Sequence, residues 1–210
     1  MKLNLKAKRL IQAPQYHLHN EDLSVKIQGD VCIIVWLLAW QFASERNGME
    51  RRDKINYYLD IAEAVLKRGT CLRRLYGAVI VNNDEIISTG YVGAPRGRKN
   101  CSDLGFCTRT KLGVPRGQRY ELCRSVHAEM NAIISAPREK MLGATLYLVG
   151  IEVMDGGYVK NADCCSMCKK NVINAGIERV IIRDSADEYR VVNVCDWVDN
   201  DESLEGKLGY

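Results

Sequence analysis

A single imidazole serves the body of this 210-residue chain, and that scarcity constrains the fold more than any other feature. Of its three histidines, His17 and His19 sit close together near the N-terminus, which leaves His127 alone thereafter. It opens the triplet His127-Ala128-Glu129, and Cys165-Ser-Met-Cys168 follows further on. A lone C-x-x-C is more often a redox or structural pair, and a lone H-x-E more often belongs to a surface helix. Together and in this order, each at a helix start, they supply one nitrogen and two sulfurs to a zinc ion whose fourth position is open to water. An open position marks a catalytic metal.

The roles follow from the spacing. Cys165 and Cys168 stand at i and i+3, so both sulfurs lie on one helix face. The positive ends of the two helices favour thiolates and a polarised water. Zinc lowers the pKa of a bound water to about 7. Glu129, two residues from the ligand His127, faces that water without binding the metal and can carry its proton to a substrate. Nine cysteines, an odd number, favour metal thiolates in a reducing cytoplasm over a secreted disulfide framework. Cys32 and Cys195 read equally well as small core residues.

The formal charge is +4, too weak to imply a nucleic-acid or membrane partner, though it would not repel a phosphorylated substrate. Residues 1–48 read as an N-terminal extension separate from a domain spanning 49–210. The extension's apolar run, Val31 to Trp40, is too short to span a bilayer. A signal peptide is one reading of it. The preferred reading makes Met49 the native start and residues 1–48 a mistranslated leader. In its favour, Ser-Glu-Arg-Asn-Gly before Met49 can be encoded by purine-rich codons resembling a ribosome-binding site. Intact-mass measurement of the natural protein decides between them.

Beyond Met49, apolar residues recur at helical spacing from Asp53 to Lys67. Tyr76–Val81 and Glu85–Tyr91 read as a hairpin turning at Asn82-Asn83-Asp84. Helices are expected from Val126 to before Pro137 and from Cys165 to Ala175, with Gly176 as the stop. Further strands are expected at Ala144–Gly150, Val180–Arg183 and Arg190–Val194, and the stretch from 99 to 123 reads as irregular. Helices between strands imply an α/β domain whose sheet is covered on both faces.

H-x-E…P-C-x-x-C is the signature of zinc nucleobase deaminases, and this chain matches it except that Cys164 takes the proline's place. Cys164 keeps the backbone carbonyl, gives up the rigidity and adds a thiol able to compete for the metal. Five segments extend the match: Thr70-Cys-Leu-Arg-Arg, Gly77-Ala-Val-Ile-Val, Ile87-Ser-Thr-Gly-Tyr-Val-Gly-Ala-Pro-Arg-Gly, Arg124-Ser-Val-His-Ala-Glu-Met-Asn-Ala-Ile and Gly143-Ala-Thr-Leu-Tyr. Over residues 53–183 the chain resembles the deoxycytidylate (dCMP) deaminases.

The resemblance implies a three-layer α/β/α cytidine deaminase-like fold around a five-stranded mixed sheet. It implies hydrolysis of dCMP to dUMP and ammonia, and a homo-oligomer, often a hexamer. It assigns zinc to His127, Cys165 and Cys168 and the proton shuttle to Glu129. The Ala128 amide would contact the pyrimidine carbonyl, and the 90–98 loop, with Arg96, would lie near sugar and phosphate. Val92 stands where the family usually has an asparagine that contacts the sugar, so another nucleotide or nucleoside stays open as substrate. A catalytically silent zinc protein is a further alternative. Cys71, Cys101, Cys107 and Cys123 are expected to hold a second, structural zinc, with buried free thiols as the alternative. The loop Glu152–Asp163 is expected to cover the site or to join a neighbouring subunit. Tyr158 and Tyr189 can stack on a base, but each reads as readily as a packed surface residue.

Overall fold

The computed structural model describes residues 51–201 apart from Arg116. The 1–48 extension, with His17, His19, Cys32, the Val31–Trp40 run and the Met49 start, lies outside the described residues. Strands β1 (Arg74–Asn82), β2 (Glu85–Tyr91), β3 (Thr145–Glu152), β4 (Arg179–Arg183) and β5 (Tyr189–Asn193) form one sheet in the order β2-β1-β3-β4-β5. β1 pairs antiparallel with β2 and β3, β3 parallel with β4, and β4 antiparallel with β5, so the sheet is mixed. Asn83 and Asp84 both have positive φ, 48° and 64°, as a two-residue turn with the right-handed twist of its strands requires.

Side chains alternate across the sheet with period two, and this sorts them into two cores. Ala78, Ile80, Leu146, Leu148, Val180 and Ile182 share one cluster; Val79, Val81, Tyr147, Val149 and Ile181 share the other. The helices are α1 (Lys54–Leu66), α2 (Cys101–Leu104), α3 (Thr108–Lys111), α4 (Ala128–Ile134), α5 (Arg138–Met141), α6 (Ser166–Ala175) and α7 (Val194–Asp199). α1 covers the second cluster through Leu59, Ala62 and Leu66, while α4 and α6 cover the first through Ala132, Cys168 and Val172. The result is the expected three-layer α/β/α arrangement. Across the α1 face, buried Arg183 donates to Glu63 at 2.8 Å and to Asp60 at 2.6 Å, tying β4 to that helix. None of the described helices is long and apolar enough to cross a membrane.

The differences from expectation are local. The stretch read as irregular holds α2, α3 and a 3₁₀ turn at Tyr120–Leu122. α2 is held by reciprocal bonds between Asn100 and Asp103 and stopped by left-handed Gly105, at φ 71°. Four residues are too few to show apolar periodicity, so only the caps mark such a helix. α4 begins at Ala128 because Val126 is still extended, bridged to Gly93, which leaves His127 as the cap. β5 stops at Asn193 and α7 follows it directly, an element not expected from the sequence.

Candidate active site

Three contacts seat α4 on β2. Ser88 Oγ donates to the Ala132 carbonyl at 2.8 Å, and Asn131 Nδ2 to the Tyr91 carbonyl at 2.7 Å. Between them, Gly90 lets the backbones close so far that an added Cβ would stand 2.2 Å from the Ala128 carbonyl oxygen. His127 caps α4, and Cys165 caps α6, each in extended conformation before its helix begins. Cys168 sits in the first turn of α6 and is fully buried.

These caps bring the expected ligands together. His127 Nδ1 lies 3.4 Å from both Cys165 Sγ and Cys168 Sγ, and all three atoms fall within 4.8 Å of one another. Zinc–nitrogen and zinc–sulfur bonds of about 2.0 and 2.3 Å at a tetrahedral angle put their outer atoms about 3.5 Å apart, so the set fits zinc. Cys164 lies outside this set although it neighbours Cys165. Its buried thiol instead lies near enough to the Glu129 carboxyl to feel its charge.

The electrostatics point the same way. Burial pushes His127 down, but bonds to Cys123 and Cys165 outweigh it and hold the imidazole up at about 11. A hydrogen bond from Cys168 carries Cys165 well below the ordinary thiol range. The cluster thus favours a thiolate beside a positive charge, which a metal cation supplies as well as a proton does. Glu129, 4% exposed, is pushed above the ordinary carboxylate range by burial. A carboxyl raised in this way suits a role in proton transfer.

His127, Ala128, Glu129 and Cys165 line one cleft open to solvent. Val92 lines it too, 5% exposed. Arg96 does not: it is exposed, in a loop that leaves the wall after Val92. The cations of the wall are Arg73, Arg74 and Arg109, with Arg74 bonded to Glu152 at 2.8 Å. Its aromatic side chains are Tyr76 and Tyr120, not Tyr158, which donates to Glu63 at 2.8 Å, nor Tyr189. Strand parity marks Tyr76, which shares the β1 face of Ala78 and Ile80. From the loop Glu152–Asp163, Asp163 reaches the cleft, while Val159 and Ala162 pack into the core.

Cys71, Cys107 and Cys123 also line the cleft, and Cys101 feels the charge of all three. Among the described residues, however, no three of these four sulfurs come within 4.8 Å of one another. Cys123 feels the charge of His127, so this second group of thiols adjoins the first. Cys195 is exposed on α7 and is not a core residue.

Comparison with known proteins agrees with this geometry. The family model for the cytidine and deoxycytidylate deaminase zinc-binding region matches residues 52–183. A deoxycytidylate deaminase of Mycobacterium phage D29 is 37% identical over 138 residues, covering 63% of this chain and 96% of that protein. A deoxycytidylate deaminase of Schizosaccharomyces pombe is 31% identical over 131 residues, covering 62% of this chain and 37% of that protein. The chain thus spans nearly all of the phage relative and little more than a third of the yeast one. The apo structure of a dCMP deaminase from the cyanophage S-TIM5 has a TM-score of 0.44 at 23% identity, over 66% of this chain and 88% of that one. The chain belongs to the cytidine and deoxycytidylate deaminase family of zinc-binding proteins.

Proposed function

We propose that this chain deaminates a deoxycytidine nucleotide hydrolytically, dCMP and water giving dUMP and ammonia, with His127, Cys165 and Cys168 holding one zinc ion. The observation that carries the reading is the nitrogen-and-two-sulfur set 3.4 Å apart beside a buried glutamate in an open cleft. Relatives named deoxycytidylate deaminases support the choice of substrate. Zinc supplies Lewis acidity that makes water nucleophilic near neutral pH.

The chain's own groups do the rest. Glu129 takes a proton from the attacking water, delivers it to the pyrimidine ring nitrogen, and returns a second proton to the departing ammonia. Burial keeps that carboxyl out of bulk water, and the Cys164 thiol stands beside it. The Ala128 amide fixes the pyrimidine carbonyl. Val92 offers the sugar an apolar wall where the family presents an amide, and this favours, as a second reading, a related nucleotide or nucleoside as substrate.

The proposal extends to a second, structural zinc on Cys71, Cys101, Cys107 and Cys123, supported by Cys71, Cys107 and Cys123 lining one cleft with Cys101 near enough to feel all three. Metal analysis then returns two zinc ions per subunit. A homo-oligomer working in a reducing cytoplasm completes the reading, and sedimentation gives its stoichiometry. The deciding experiment follows ammonia release from dCMP, CMP, deoxycytidine and guanine with the zinc-loaded chain. Fastest release from dCMP supports the reading; preference for guanine or a free nucleoside replaces it, and no release from any favours a silent zinc protein.

A further inference from the structure

Among the described residues, nothing neutralises the charge of Arg109. The residue is 6% exposed, and buried cations ordinarily pair with an acid. Its Nη2 donates to the carbonyls of Pro115, at 3.2 Å, and Gln118. Its guanidinium lies 4.4 Å above the Tyr120 ring, and its Nε, sealed from solvent, has no partner. Among the described residues no carboxylate forms an ion pair with it. Glu121, which feels its charge, is exposed and paired with Arg119. Asp163, on the same cleft, is paired with Lys169 at 3.0 Å.

The side chain is also placed to meet a ligand. Arg109 lines the cleft that holds His127 and Glu129. Tyr120 stands between, edge-on to the His127 ring at 5.3 Å, so the guanidinium lies within about 10 Å of the imidazole. That separation suits a nucleotide with its base at the ligand set and its phosphate further along the wall. Two backbone carbonyls and an aromatic face hold the guanidinium without cancelling its charge, which leaves it pre-positioned for an anion.

We infer that Arg109 receives the 5′-phosphate of the substrate and makes the cleft prefer a nucleoside monophosphate to a nucleoside. The inference rests on the deaminase reading for the identity of the anion. The residue is a binding group, and its effect is confined to ligands that carry the phosphate.

The test compares the zinc-loaded full chain with Arg109→Gln and Arg109→Lys. Turnover is measured on dCMP and deoxycytidine, and binding of dUMP and deoxyuridine by calorimetry. Arg109→Gln lowers kcat/KM for dCMP about 10- to 100-fold, the worth of one or two charge-assisted hydrogen bonds, and leaves deoxycytidine within about twofold. Affinity for dUMP falls by a similar factor, while that for deoxyuridine holds. An equal loss on both substrates makes Arg109 a structural clamp of the 109–120 loop and overturns the inference, as does no loss on either.

If the wild-type chain deaminates neither substrate, the calorimetry still decides. A loss confined to dUMP sustains the anion site while the deaminase reading falls; no difference removes both. Should circular dichroism show Arg109→Gln unfolded, Arg109→Lys carries the test, since it keeps the charge but loses the fork. Its preference for dCMP over deoxycytidine then drops several-fold, and an unchanged preference overturns the inference.

Discussion

Adding one methyl group at position 90 tests how far the site depends on the approach of α4 to β2. The Cβ of Gly90→Ala would stand 2.2 Å from Ala128 O, 2.3 Å from Ala132 N and 2.9 Å from Asn131 C, all of them backbone atoms. Carbon–oxygen contacts settle near about 3.3 Å, so α4 must retreat by about 1 Å. His127 and Glu129 travel with α4, while Cys165 and Cys168 belong to α6 and stay. The 3.4 Å separations from Nδ1 to both sulfurs therefore open, and a displacement of about 1 Å at reacting groups costs about 100-fold in rate. Overpacking costs about 1–3 kcal/mol in stability as well.

Gly77→Ala supplies the control. Its Cβ would meet Ala62 O at 2.2 Å and Leu66 N at 2.7 Å, an equal crowding against α1 on the opposite face of the sheet. Melting temperature, zinc content and kcat are measured on both variants, with kcat taken per folded molecule. Both lose stability, but Gly90→Ala alone loses zinc affinity and about 100-fold in kcat. Equal kcat in the two variants would refute the reasoning, because crowding alone would then explain the losses.

Four further outcomes are expected. Glu129→Gln keeps its zinc, by metal analysis, and loses about 1,000-fold in kcat, the scale of a lost acid–base group. Cys168→Ser lowers bound zinc below one per subunit, and added zinc restores activity only in part. Cys164→Ala lowers kcat several-fold with KM little changed, whereas Cys164→Ser, which keeps a donor for Glu129, recovers most of it. Burial tends to raise the Asp60 carboxyl, but bonds from Arg52 and Arg183 outweigh this and hold it below the usual range. Its stabilising contribution is therefore full above the ordinary aspartate value and is lost as pH falls through the depressed one. Thermal melts from pH 6 to pH 2 should show a steeper acid-side decline for wild type than for Asp60→Asn, and parallel curves would remove Asp60 from the acid response.

What could be read from the chain alone divides along physical lines. His127, Cys165 and Cys168 were legible because metal chemistry demands particular atoms and the helix starts supply them at short spacings. The strands were legible wherever both faces are buried, as in Ala78–Val81 and Leu146–Val149, because unbroken apolar runs mark them. β5 was the faintest of the five, since it alternates half-buried with exposed residues at the sheet edge. Arg109 and Tyr120 were not legible. They sit in turns of three or four residues, where no periodicity develops, and they meet His127 only through tertiary packing. Arg96 was expected near the phosphate because its loop is rich in Gly and Arg. Composition does not say which way such a loop turns, and here Gly97, at φ 82°, follows an exposed side chain.

The segment between β3 and α6 divides into an anchored part and a free part. The Ile151–Tyr158 bridge closes a short excursion whose tip, Met154, is 98% exposed. Val159 and Ala162 are then buried before Cys165 caps its helix. The position of the cysteine ligands is thus set downstream of the bridge and owes nothing to the length of chain before it. Doubling such a loop costs only about 0.6 kcal/mol in closure entropy. Lineages can lengthen, shorten or decorate residues 153–157 and leave the metal ligands where they stand, which makes this tip the natural place for a descendant protein to acquire new contacts.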